Sequence, residues 1–145
     1  MGRNSVCPFN TQNTLWVDRA TFPLLYLPAT TSMRFSDILK SYIAQYALWS
    51  VDRYVAFTRP SAFQIRNAHD LVNDFEDELG MYMLTEDVCK ELSQITIRGN
   101  IARFMREAYQ RCLFLGAVQQ HEIKCLDAWL EFVMPRLDSW VEKPA

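Results

Sequence analysis

The stretch Phe22-Pro23-Leu24-Leu25-Tyr26-Leu27-Pro28 decides how this chain is read, because it sits between a polar N-terminal segment and the first long helical pattern. Apolar and aromatic residues bounded by two prolines suit a short extended segment, and proline cannot continue a sheet ladder on either side. Just upstream, Thr14 to Val17 carries the same β-branched and aromatic texture. Extended segments are therefore expected at Thr14 to Val17 and at Leu24 to Leu27. Downstream, Tyr54-Val55-Ala56-Phe57-Thr58 reads as a further short strand stopped by Arg59-Pro60.

Between these segments lies a helix. Thr31, Ser32 and Ser36 are all suitable N-caps, and Phe35, Leu39, Tyr42, Tyr46 and Trp49 recur at helical spacing to about Ser50. Ile38, Ile43 and Ala47 widen that stripe, so the helix is expected to be largely buried. An acidic helix is expected from about Asn67 to Leu79, ended by Gly80, and a separate one over Glu86 to Ile95 with Thr85 as its cap. Asn100 caps the next, with Ile101, Phe104, Met105, Ala108, Cys112 and Leu115 as its buried face and Gly116 as its end. The last runs from about Gln120 to Met134 and stops at Pro135.

These readings give an α+β fold, predominantly helical, with short strands in the N-terminal third and a helical C-terminal part. With no low-complexity linker, residues 1–145 are one unit, a mixed segment over 1–66 and a helical segment over 67–145 packed on it. At 145 residues, half of them apolar and 13% aromatic, the chain is long enough for a real core. A net charge of −2 and a pI near 5.7 supply no basic field, which argues against a nucleic-acid partner. No apolar run is long enough for a membrane span, and the N-terminus lacks the apolar core of a signal peptide, so a cytoplasmic protein is expected. Cys7, Cys89, Cys112 and Cys125 lack CxxC spacing and read as reduced thiols.

Several constellations can carry chemistry. Asn10, Gln12 and Asn13 with Trp16 combine amide donors and acceptors with an indole face, which suits hydroxyl-rich ligands such as sugars; the same amides cap turns in ordinary loops. Arg34 and Asp37 share a helix face, where Arg34 can hold a phosphate or carboxylate and Asp37 can deprotonate a hydroxyl, or the two can simply pair. Asp70, Asp74 and Asp77 or Glu78 line one face of the acidic helix, as a solvated surface or as ligands for magnesium or manganese. His121 and Cys125 are spaced i, i+4, but two ligands do not make a zinc site. No metal site is assigned.

The succession Pro8-Phe9-Asn10-Thr11-Gln12-Asn13-Thr14-Leu15-Trp16, then Phe22 to Pro28, then Arg34-Phe35-Ser36-Asp37-Ile38-Leu39 and Ala44-Gln45 with Leu48-Trp49, resembles the STELLO-type glycosyltransferases. Arg66 to Leu71 and Asp74 to Glu78 extend the likeness to about residue 80. The resemblance implies the acceptor-side half of a GT-A-like, nucleotide-sugar-dependent enzyme transferring a hexosyl group. A complete enzyme of that kind has a Rossmann-like donor half with a divalent cation, manganese or magnesium. This chain starts after that half, so catalysis alone is not expected. By position, the resemblance puts Asn10, Gln12 and Asn13 near the donor or acceptor pocket and Arg34 and Asp37 in the motif at the helix start; side-chain chemistry and that position suggest Arg34 as diphosphate contact and Asp37 as general base, with Trp16 joining the substrate-binding residues through its indole face. Nucleotide-sugar, saccharide acceptor, and a protein partner or second copy are the implied partners. Two other classes stand beside this one: a non-catalytic helical protein-interaction module and a saccharide-binding module without turnover.

Overall fold

The computed structural model describes residues 2–65 and 70–141, with the backbone alone for 138–141. A 3-10 helix, Arg19–Leu25, precedes four α-helices: α1 Met33–Ser50, α2 Leu71–Ser93, α3 Ile101–Phe114 and α4 His121–Val141. Among the described residues there is no strand, so the fold is all-helical and the expected α+β class is overturned.

The three expected strands fail for one reason: a strand is a collective object, and none of these segments finds a neighbour to complete its ladder. Over Leu24 to Leu27 the period-two pattern is real, with Leu24 and Tyr26 buried (1% and 7% exposed) and Leu25 and Leu27 turned out (38% and 44%). Leu24 and Leu25 nonetheless end the 3-10 helix, which the Asp18 side chain starts by accepting from Ala20 N–H while the Thr21 N–H donates to the Asp18 carbonyl at 3.0 Å, and Tyr26 and Leu27 follow without a partner strand. Thr14 to Val17 alternates likewise, Trp16 inward and Leu15 and Val17 outward, but the Thr14 hydroxyl donates to the Asn10 carbonyl at 2.7 Å and the segment stays irregular. Tyr54 to Thr58 is an exposed connector.

α1 is the central element. Ser32 caps it, its hydroxyl accepting from Phe35 N–H at 3.3 Å, and thirteen of its eighteen residues are buried, an all-round burial that only a helix covered on several sides reaches. α2 packs along α1 in parallel: Arg34 meets Asp74 and Glu78 near the start of both, and the Phe35 ring lies beside Gly80. α3 and α4 form an antiparallel hairpin, with Arg106 paired to Asp127 at 2.8 Å, and the 3-10 helix sits against α1, α3 and α4.

Two expected helix boundaries are also corrected. α2 is one helix through Gly80 and Thr85: a Cβ built at Gly80 would stand 3.6 Å from the Phe35 ring, so packing on α1 offsets glycine's weak propensity. Thr85 bonds back to the Met81 carbonyl at 2.6 Å rather than capping a new helix. Its start is Leu71, capped by Asp70 whose carboxylate accepts from Val72 and Asn73 N–H; the expected start at Asn67 lies outside the described residues. α4 continues past Pro135, which occupies an exposed position on the helix. Gly116, at φ 73°, lies just beyond α3 as read from sequence, and the Ala117 N–H closes the cap onto the Cys112 carbonyl at 2.9 Å.

Candidate functional site

The residues singled out from sequence lie where the N-terminal segment crosses the first turns of α1. Asn10 is a turn former: its side-chain oxygen accepts from Gln12 N–H at 3.2 Å. Asn13 donates from Nδ2 to the Ser61 hydroxyl at 3.2 Å, fastening the N-terminal segment to the connector before α2. Gln12 is exposed. Trp16 is half-buried, and the Lys40 ammonium stands 5.7 Å over its ring, occupying an indole face that a sugar would need.

Arg34 and Asp37 look towards different partners. The Arg34 fork is taken up by α2, Nη2 at 2.5 Å from Asp74 and Nη1 at 2.9 Å from Glu78. Asp37 instead accepts from the Thr11 hydroxyl of the N-terminal segment at 2.5 Å. The two therefore neither pair with each other nor converge on one space. Asp74 and Glu78 of the acidic face serve as Arg34's partners, and no group of three or more His, Cys, Asp or Glu side chains is arranged to hold a metal among the described residues. His69 lies outside the described residues.

Buried chemistry sits elsewhere, at a position that sequence reading passed over. Glu122 is 0% exposed in the first turn of α4. Its carboxylate accepts from Thr30 N–H at 2.8 Å, Ala29 N–H at 3.0 Å, the Thr30 hydroxyl at 2.7 Å and the Tyr26 hydroxyl. Gln119 N–H in turn donates to the Thr30 hydroxyl at 2.9 Å. Tyr26 also meets Tyr109 edge-on with ring centres 5.4 Å apart. Burial first, and the hydrogen bond to Glu122 second, push the Tyr26 phenol far above its ordinary value of 10.0, so it stays a donor throughout neutral pH. The signal was in the spacing: Glu122 shares a stripe with Leu126, Leu130, Val133 and Leu137, and an acid on an apolar stripe needs buried donors. With every lone-pair direction used inside the chain, this is a clamp and not a site open to ligand.

A similar local device holds the N-terminus. Gln45, 1% exposed, donates from Nε2 to the Cys7 carbonyl at 2.7 Å and accepts from Cys7 N–H at 3.0 Å, so a side-chain amide does for Cys7 what a neighbouring strand would.

Two open clefts stand out among the described residues. One, of about 350 Å³, lies between the 3-10 helix, α3 and α4, floored by Pro23, Ile101, Ala102 and Met134, with the Asp18–Arg53 pair at 3.0 Å on its rim. The other, of about 420 Å³, is a groove between α1 and α2 lined by Pro8, Ile38, Tyr42, Met81, Tyr82 and Glu86. None of Asn10, Gln12, Asn13, Trp16, Arg34 or Asp37 lines either cleft.

The groove continues into the most exposed apolar surface of a helix in the molecule's described part. Only Val88 and Leu92 of α2 are buried, while Leu71, Val72, Phe75, Leu79, Tyr82 and Met83 are between 47% and 79% exposed. At 100° per residue these six fall on one stripe. The Phe75 and Tyr82 rings lie 6.1 Å apart along it. The 3-and-4 spacing is visible in the sequence, but which of α2's faces is covered depends on where α1 lies.

The four thiols are all free and differ in access. Burial pushes Cys112 up to about 12 and also raises Cys89. In native protein treated with iodoacetamide at pH 8, Cys112 is expected to stay unmodified while the half-exposed Cys7 and Cys125 react, and peptide mass mapping checks the order. Labelling of Cys112 as fast as in denaturant would show that the α3 core opens readily.

No helix among the described residues is long and apolar enough to cross a membrane. Compared with protein-family models, curated proteins and solved structures, the chain finds no match in any of the three.

Proposed function

We propose that the chain is a non-catalytic helical protein-interaction module that uses the outer face of α2. The observation that carries this reading is the continuous apolar stripe from Leu71 to Met83 on a helix whose opposite face is already packed on α1. Stripes of this size on a folded protein mark interaction surfaces more often than idle solvent contact. The candidate transferase residues favour the same reading, since Arg34, Asp37, Asn10, Asn13 and Trp16 all have partners within the chain and line neither of the two clefts described above. Their contacts are those of residues that hold an N-terminal segment and α2 onto α1.

The test is a photo-crosslinking residue placed at Phe75 or Tyr82 of the full chain in its native cells, with Arg103 on α3 as control. Discrete higher-mass adducts are expected from the two α2 positions and not from Arg103. If neither α2 position gives an adduct, the interaction reading fails. Calorimetric titration of the chain with nucleotide-sugars and manganese is expected to be flat, and saturable heat would return the transferase reading to first place.

A further inference from the structure

Among the described residues the exposed charges beside the α2 stripe are mostly acidic: Glu76 and Asp87 lie along one edge, Glu86 stands at its lower end with Lys90 one turn beyond it, and Asp77 lies further round the helix. Glu78 forms the other edge, held by Arg34 at 2.9 Å and reached by the Tyr82 hydroxyl at 3.3 Å. Any two-fold related copy laid on this face would bring carboxylate borders together, which destabilises the contact. A positively charged segment meets the opposite condition. The stripe also has a receptacle, because Tyr82 and Glu86 line the groove of about 420 Å³ between α1 and α2.

We propose that α2 receives a basic amphipathic helix of a partner protein. This rests on the interaction reading above and adds the chemistry of the occupant. The partner's apolar side chains, at the i, i+3, i+4, i+7 spacing of a docked amphipathic helix, lie along Val72, Phe75, Leu79 and Tyr82, which recur at i, i+3, i+7 and i+10 on α2. One of them enters the groove over Ile38, Tyr42 and Met81. Its lysines or arginines meet Glu76, Glu86 and Asp87. The six exposed apolar side chains offer several hundred Å², a large part of the about 800 Å² that one partner gives to a standard interface.

The probe is a synthetic Leu/Lys amphipathic helical peptide, with a Leu/Glu peptide of the same apolar pattern as its twin, titrated into the full chain and followed by fluorescence anisotropy. The Leu/Lys peptide is expected to bind and the Leu/Glu peptide to bind at least tenfold more weakly. Affinity for Leu/Lys is expected to fall at least tenfold in the surface variant Glu76→Lys/Glu86→Lys/Asp87→Lys, and several-fold on a tenfold rise in salt. Circular dichroism verifies that this variant keeps its helices. Equal binding of both peptides, unchanged Leu/Lys binding by the charge-reversed variant, or no Leu/Lys binding at all overturns the basic partner. A stable dimer in sedimentation that Phe75→Ser disperses overturns it too, by making a second copy the occupant. In each of these cases adducts from Phe75 or Tyr82 in cells would leave the interaction reading standing, so the two fail separately.

Discussion

Glu122→Ala is expected to destabilise the fold by about 3–5 kcal/mol, because it strips the only buried acceptor from Thr30 N–H, Ala29 N–H, the Thr30 hydroxyl and the Tyr26 hydroxyl at once. For a chain of this size that corresponds to a fall in Tm on the order of 10 °C. Glu122→Gln keeps the volume but sets an amide NH2 against donors, so a loss of about 2 kcal/mol is expected. Thermal unfolding followed by circular dichroism separates the two. A shift of under about 1 kcal/mol for the alanine variant would mean that water replaces the carboxylate without cost.

Tyr26 gives the same clamp a pH signature. Its phenol is raised in the folded chain by burial and then by Glu122, whereas in the unfolded chain it ionises near 10.0. A group raised on folding contributes stability that is complete below its unfolded value and is lost as pH rises past it. Stability of the native chain is therefore expected to decline above about pH 10, and Tyr26→Phe to flatten part of that decline. Tyr109, raised by its own burial, has the same sign and remains in the variant.

Phe104→Ala is the second large effect, an expected loss of about 3–5 kcal/mol. Phe104 is 2% exposed in α3 within a continuous core that includes Leu39 and Ile43 of α1, Leu92 of α2 and Leu126 and Leu130 of α4. Truncation to alanine vacates the volume of the ring, and how far its neighbours relax into that space sets where in the range the cost falls. Urea unfolding measures it; a midpoint shift with an unchanged slope assigns the loss to the folded state.

Much of the helical part was legible from sequence because its signals are local. Of the three candidate caps of α1 Ser32 is the one used, Asn100 caps α3 as expected, Gly116 closes α3, and α1 is largely buried as its stripe required. The failures share a cause. Gly80 and Thr85 carry local stop and start signals that α1 outvotes through Phe35, and Leu24 to Leu27 has strand alternation with no strand to pair with. The candidate site shows the same division. Asn10 and Asn13 could be recognised as turn or ligand residues, but only the folded chain shows that Ser61, Thr11, Lys40 and α2 already occupy Asn13, Asp37, Trp16 and Arg34. Glu122 went unnoticed because its donors lie more than ninety positions earlier in the chain.

That separation has a consequence for how the chain comes apart. The Glu122 carboxylate belongs to one end of the sequence and its donors to the other, while residues 51–65 between α1 and α2 form an exposed connector without regular structure. A protease cutting there would leave two pieces that, once apart, have four orphaned donors on one and on the other a carboxyl side chain lacking them. Each piece is a poor folder by itself and a specific complement to the other, so a nicked chain would hold together as a non-covalent pair until the clamp is broken.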